Sequence, residues 1–308
     1  MSMLFTCLSV LLILGGPEVE QTEHPAFDLS AWSDELDSFY ESKNTDISYF
    51  GAIDGPLCIA NIERHRTKLS NILDDQRSVP VDVFVWSVGQ PQKPYHTKTG
   101  GVPYWPRDRE WPTSGKGEPL SFFAQFCMQD SQDLVDGLPG DVLLLFTDSD
   151  FDSLEVRWVQ VEEDQAVWTD DDEIPSEPGF EIPEFFGNVF RTRDYPDLEN
   201  IRPNSITDVN KRYDTGQLFV HRAYKIGGTP SLVQDFIMEK NERLICQFSS
   251  ITAIRGYSFV NMKDTGNPKD NPFSYAEGFC LPIGDDGVIS VLQNLDDLNE
   301  FRVVGETH

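Results

Sequence analysis

Thr99-Gly-Gly-Val-Pro-Tyr-Trp-Pro-Arg-Asp-Arg-Glu-Trp-Pro112, continued by Pro119-Leu-Ser-Phe-Phe-Ala-Gln-Phe-Cys127, decides the fold. A shortened version returns as Ile226-Gly-Gly-Thr-Pro230 and Arg243-Leu-Ile-Cys-Gln-Phe248. Each copy joins a Gly-Gly-x-Pro turn to an apolar segment carrying a single glutamine, Gln125 or Gln247. The second copy is tighter, with 19 residues from Gly228 to Gln247 against 24 from Gly101 to Gln125. Two such copies predict a tandem duplication whose halves pack on each other.

The residue types explain why this grammar turns the chain and then straightens it. Paired glycines accept positive φ, and the proline that follows fixes φ and withholds a donor. A sharp turn into a strand is therefore expected at Gly100, Gly101 and Pro103, and again at Gly227, Gly228 and Pro230. Trp105-Pro106 and Trp111-Pro112 place large rings on a proline-stiffened connection. Those rings either lid the core or, with Tyr104, form an aromatic platform for a partner. Gln125 and Gln247 sit in apolar strands, so their amides need hydrogen-bond partners, and bracing the backbone suits a neutral amide better than acid–base chemistry.

The order of these motifs resembles the YwqG-like family of uncharacterised domains. The resemblance rests on Gly100-Gly101-Val102-Pro103, Trp111-Pro112, Leu120 to Gln125, and Leu138-Pro139-Gly140 before the apolar run 142–146. It continues through Gly227-Gly228-Thr229-Pro230, Leu244 to Gln247 and Gly284-Asp-Asp-Gly-Val-Ile289, covering about residues 95 to 300. Ile283 and Gly284 depart from it, standing where the family usually carries a tryptophan. The family offers no established active site, so the resemblance implies no catalytic residue.

Composition bounds the partners. With 24 Lys plus Arg against 52 Asp plus Glu, the formal charge is −28, a surface that repels nucleic acid and anionic lipid. A basic protein is the expected charged partner. Cysteines at 7, 58, 127, 246 and 280 include no Cys-x-x-Cys, and no histidine (24, 65, 96, 221, 308) stands beside them, so the sequence implies no metal and no cofactor. Asp148, Asp150 and Asp152 imitate the start of a calcium loop, but Ser153 and Val159 occupy the positions of its turn glycine and bidentate glutamate. Phosphate-loop, nucleophile-elbow and zinc-protease motifs are absent from the sequence.

In chain order, Met3 to Leu14 is an apolar run too short for a confident membrane span. It has the hydrophobic length of a signal peptide without its basic start or cleavage site. Cytoplasmic residence is expected, export through this segment is the alternative, and membrane insertion is expected only if the segment is kept as an anchor. Residues 1–16 are thus a leader and 17–78 a helical region, with helices over 28–43 and 57–73. Residues 79–308 form the duplicated domain, its halves at about 79–161 and 217–308 and a connector over 162–216. That connector opens with Glu162 to Glu184, which carries ten acids and no Lys or Arg. In the second half Asp285-Asp286-Gly287 reads as a tight turn into the strand from Val288, matching Gly140-Asp141 before Val142, and 294–301 as a closing helix.

The fold class expected is α+β and β-rich: two duplicated antiparallel half-sheets packed together, with N-terminal helices at one end. Two functions fit. One is a non-catalytic protein-interaction module centred on Gly100, Gly101, Pro103, Tyr104, Trp105 and Trp111. The other is a carboxylate-dependent hydrolase of a glycan or another neutral polymer, which needs two carboxylates across one cleft.

Overall fold

The computed structural model describes residues 29–32, 55–73, 77–88, 90–148, 153–175, 182, 184–196, 219–221, 224–231, 238–249 and 287–306. Among the described residues ten antiparallel strands form one sheet: β1 (Val79–Val88), β2 (Lys98–Thr99), β3 (Ser121–Cys127), β4 (Val142–Thr147), β5 (Leu154–Val159), β6 (Phe185–Asp194), β7 (Lys225–Gly227), β8 (Glu242–Ser249), β9 (Val288–Asn294) and β10 (Phe301–Glu306). Their order across the sheet is β10-β9-β8-β7-β1-β6-β2-β3-β4-β5. The sheet curls until it nearly closes, and its two edge strands meet through Trp158 of β5 and Phe301 of β10, with ring centroids 5.4 Å apart.

Read from either edge towards the centre, the ladders repeat. Lys98 and Thr99 of β2 pair with Gln125 and Ala124 of β3, while Lys225 and Ile226 of β7 pair with Gln247 and Cys246 of β8. Both glutamine strands slip register at the same place, between Phe122 and Ala124 in β3 and between Leu244 and Cys246 in β8. Such a bulge bends its strand and increases the local twist, which is what curling needs. Gln125 lies opposite Leu144, and Gln247 opposite Ser290. Val142 thus corresponds to Val288, so the partner position of Gly287 is Asp141, one residue on from the expected Gly140.

The central pair crosses between halves. β1 pairs with β7, β6 pairs with β2, and β1 and β6 pair along ten residues, from Val79↔Asp194 to Val88↔Phe185. β6 lies within 162–216, the stretch expected to be a connector. A Cβ on Gly187 of β6 would stand 2.6 Å from the Phe84 ring, so glycine there is what lets that ring lie against the strand.

Inside the curl, rings from both halves fill one core. Trp86 meets Tyr224 edge-on at 4.7 Å, and Phe126 meets Phe248 at 4.5 Å. Alternation sends Leu143 and Leu145 of β4 inward, while Val142, Leu144 and Phe146 form an outer cluster with Tyr104, Trp105, Leu120 and Phe122. Cys127 and Cys246 are buried free thiols, and burial pushes Cys127 up to about 12.

Helix α1 (Gly55–Lys68) and the single turn α2 (Ser70–Leu73) cover the helix expected over 57–73. Pro56 suits the first turn, where its missing N–H costs nothing, and Ile59 and Ile62 give α1 a buried side. The helix expected over 28–43 lies outside the described residues except for a 3-10 turn at Leu29–Trp32. So do the leader, Cys7 and Cys280.

One expectation is corrected. The region 294–301 is no helix: Asn294 ends β9, Phe301 begins β10, and a turn joins them. Asn294 and Asp297 use their side-chain oxygens to accept the N–H groups of Asp296 (2.9 Å) and Asn299 (3.0 Å), a local competition that favours turns over helix. Within the acidic stretch, Val167 and Trp168 pack against the aromatic segment. Pro106 bridges Val167, and Trp168 N–H donates to Trp105 O at 3.1 Å.

Candidate functional site

The Gly-Gly-x-Pro turn is built as its residues require. Gly100 and Gly101 have φ of 60° and 64°, and Gly227 and Gly228 have 69° and 72°. Beyond each turn a glutamine accepts one backbone N–H: Tyr104 N–H reaches Gln125 Oε1 at 2.9 Å, and Ser231 N–H reaches Gln247 Oε1 at 2.8 Å. Gln125 Nε2 then donates to Pro94 O (2.8 Å) and His96 O (2.7 Å), so that the 94–96 stretch and Tyr104 are both tied to β3. Both glutamines are buried and brace the backbone.

The aromatic segment divides. Tyr104 and Trp105 are each 4% exposed and pack in the outer cluster. Trp111 is half-buried; its Nε1 donates to Leu120 O at 2.7 Å, and its ring lies 5.6 Å from Phe146 and 5.1 Å from Trp168. Trp168 is also half-buried and was not singled out in the sequence, because it sits inside the acidic run. The signal that could have found it is the apolar trio Ala166-Val167-Trp168 within that run.

Around this Trp111–Trp168 pair the neighbouring chain is acidic and exposed: Glu110, Glu162 to Asp164, Asp170 and Asp171. Its two arginines are committed. Arg107 donates to Asp172 and, at 2.9 Å, to Val167 O. Arg109 donates to Trp158 O at 3.1 Å and lies 5.9 Å over the Trp105 ring. The result is an aromatic face with anionic surroundings, suited to a cationic chain.

Each half also buries a lysine two residues ahead of its glycine pair. Lys225 and Asp194 are fully buried and 3.0 Å apart. Asp194 also accepts the N–H groups of His221 (2.9 Å) and Thr229 (3.0 Å), and the His221 ring nitrogen Nδ1 lies 3.0 Å away. Burial alone would raise this carboxyl, but Lys225, His221 and the Thr229 N–H outweigh it and hold it well below the usual range. From α1, Arg66 reaches Thr192 Oγ1 (3.1 Å) and His221 Nδ1 (3.3 Å); burial first, then that guanidinium, keeps His221 below its ordinary value. Among the described residues Lys98 meets only an amide at comparable range, donating to Gln90 Oε1 at 3.2 Å. Burial lowers Lys98 to about 8, although Asp170 and Glu184 act in the opposite sense.

Asp285 and Asp286 lie outside the described residues, and Gly287 is buried directly before β9. Pro103 and Pro230 are buried in their turns. Asp150 and Asp152 are likewise outside the described residues, while Asp148 accepts a hydrogen bond from Ser153 Oγ at 2.8 Å. Among the described residues no three His, Cys, Asp or Glu side chains converge as metal ligands, and no helix is long and apolar enough to cross a membrane.

Compared with known proteins, residues 97–267, more than half of the chain, match the family model described as a domain of unknown function, DUF1963. No curated protein matches the chain.

Proposed function

We infer that this chain, which belongs to the DUF1963 family of unknown function, is a non-catalytic interaction module that receives a basic protein segment. The observation that carries the reading is the half-buried Trp111–Trp168 pair, 5.1 Å apart and edge-on, flanked by exposed carboxylates. Of the six residues expected to form the contact, Gly100, Gly101 and Pro103 shape the turn, Tyr104 and Trp105 anchor it from inside, and Trp111 reaches the surface. Net charge of −28 speeds encounter with a cationic partner, whereas the rings supply the desolvated anchor that affinity needs.

The hydrolase alternative requires aromatic stacking beside two carboxylates in one cleft. The cavity that carries Asp136 and Asp141 is lined by neither Trp105 nor Trp111, which favours binding over glycan cleavage. The finer family reading is YwqG-like, supported by the order of the Gly-Gly-x-Pro, Trp-Pro and Leu-Pro-Gly motifs. A tandem duplication is supported by the matched registers and bulges of β3 and β8. Cytoplasmic residence completes the reading.

The test uses a Lys/Arg-rich peptide and an acidic peptide of equal length, titrated while tryptophan fluorescence is read. The basic peptide should bind and weaken with salt, and Trp168→Ala should cost about tenfold or more in affinity, as loss of an aromatic anchor does. Binding indifferent to both salt and Trp168→Ala would sink the reading.

A further inference from the structure

The loop between β3 and β4 encloses a cavity of about 340 Å³ that the interaction face does not use. Its lining combines apolar Met128, Val135 and Leu138 with polar Asp136, Asp141 and Gln160. Asp141 is 8% exposed. Its Oδ2 accepts the Val161 N–H at 3.0 Å and the Gln160 side-chain amide. Oδ1 takes no donor among the described residues. Asp136 is exposed, and the Arg243 guanidinium, 2.6 Å away, holds its carboxyl below the usual range.

We propose that this cavity binds a short aliphatic diamine, its methylenes on Met128, Val135 and Leu138 and one ammonium on Asp141. Among the described residues Asp141 keeps Oδ1 without a donor on a largely buried side chain, so an ammonium in the cavity can pair with it where little water competes. The apolar lining residues ask for methylenes next to that cation. A second carboxylate on the same lining gives the far ammonium a counter-charge, with Arg243 keeping Asp136 ionised. A metal ion fits less well, since hard cations take six or more oxygens and would leave the apolar wall wet. Volume is no obstacle, as small-molecule sites begin near roughly 300 Å³. The field of a chain at −28 raises the local concentration of any such cation. The inference stands apart from the protein-binding reading, because none of its residues belongs to the Trp111–Trp168 face.

Calorimetric titration at low ionic strength with putrescine, and with n-butylamine as the single-charge comparison, tests the assignment on the full chain. Putrescine should bind at one saturable site, tighter than n-butylamine by about tenfold or more, the scale on which a desolvated charge pair counts. Asp141→Asn should abolish that preference, and Gln132→Lys, placing a tethered ammonium at the exposed lining residue Gln132, should block binding. Glu118→Gln, an exposed carboxylate in a separate turn, should leave it unchanged. Should Asp141→Asn fail to fold, the Gln132→Lys protein decides, since it keeps the buried carboxylate intact. Equal affinity for the two amines, no saturable site, or putrescine binding retained in Gln132→Lys overturns the proposal and leaves only general attraction to an acidic surface.

Discussion

Lys98 and Lys225 occupy the same register in the two halves, each opposite a buried glutamine and two residues before a glycine pair. Their neutralisation differs. Lys225 faces the fully buried Asp194, which is itself saturated by two backbone N–H groups and a histidine. Lys98 faces the Gln90 amide, with Asp170 and Glu184 acting only at longer range, and its pKa falls to about 8. Matching backbone geometry therefore does not fix electrostatics. What decides whether a buried ammonium is retained is a carboxylate buried with it, and only one half supplies that.

The sharpest way to break this contrast is to remove each lysine. Lys225→Met strands Asp194 without its ion pair and should destabilise by roughly 3–5 kcal/mol in denaturant unfolding. A loss below about 1 kcal/mol, the range of surface pairs, would mean that Asp194 is held by the N–H groups alone. Next in size come the glycines. A Cβ on Gly228 would lie 2.5 Å from Asp194 Oδ2 and 2.8 Å from Val81 Cγ2, whereas on Gly101 its nearest neighbour is Gln90 Nε2 at 2.6 Å, the end of an exposed, flexible chain. Gly228→Ala should thus cost roughly 3 kcal/mol and Gly101→Ala roughly 1–2 kcal/mol, both including the left-handed φ. Equal losses would show that the two turns are equally rigid.

The glutamines are where the halves should agree. Gln125→Leu and Gln247→Leu each orphan a buried backbone N–H and should each cost roughly 1–3 kcal/mol, read as a shift in unfolding midpoint. The smallest effect carries the opposite sign. Lys98→Met removes a desolvated ammonium that lacks a close carboxylate, and near pH 7 it should stabilise by roughly 1–2 kcal/mol. Between pH 8 and 10.5 the unfolded chain keeps the Lys98 proton that the folded chain has released, so wild-type stability should rise across that window. Lys98→Met should lack that increment, and an unchanged pH slope would show that Lys98 keeps its charge when folded.

Much of the sheet was legible because its rules are local. Val81 to Val88, Val142 to Thr147 and Leu154 to Trp158 announce strands through β-branched content and alternation, and the glutamine in each apolar run marks its own need for partners. β6 was hidden. Phe185-Phe-Gly-Asn-Val-Phe-Arg-Thr-Arg-Asp194 follows an acidic, proline-bearing run, and its burial alternates only in part because it lies on β1 from far along the chain. β2 is two residues long, too short for any period. Nothing local in the sequence marks Lys225 and Asp194 as a pair, since their meeting depends on the crossing of the central strands. Trp168 was overlooked for a related reason, its burial being set by Trp105 and Trp111 from another segment.

That crossing also sets a schedule for synthesis. Val79 waits for Asp194 and Val88 for Phe185, so β1 emerges about a hundred residues before its longest ladder partner exists. At roughly 5–20 residues per second of translation, that interval is on the order of 5–20 s. Throughout it, Val-Pro-Val-Asp-Val-Phe-Val-Trp-Ser-Val, an apolar β-forming segment, has neither β6 nor β7 beside it. Pro80 and Asp82 interrupt the segment, a proline and a charge of the kind that discourages strands of neighbouring chains from stacking. Asp82 later takes Arg191 of β6, so the charge that guards the nascent strand becomes its clasp once the partner arrives.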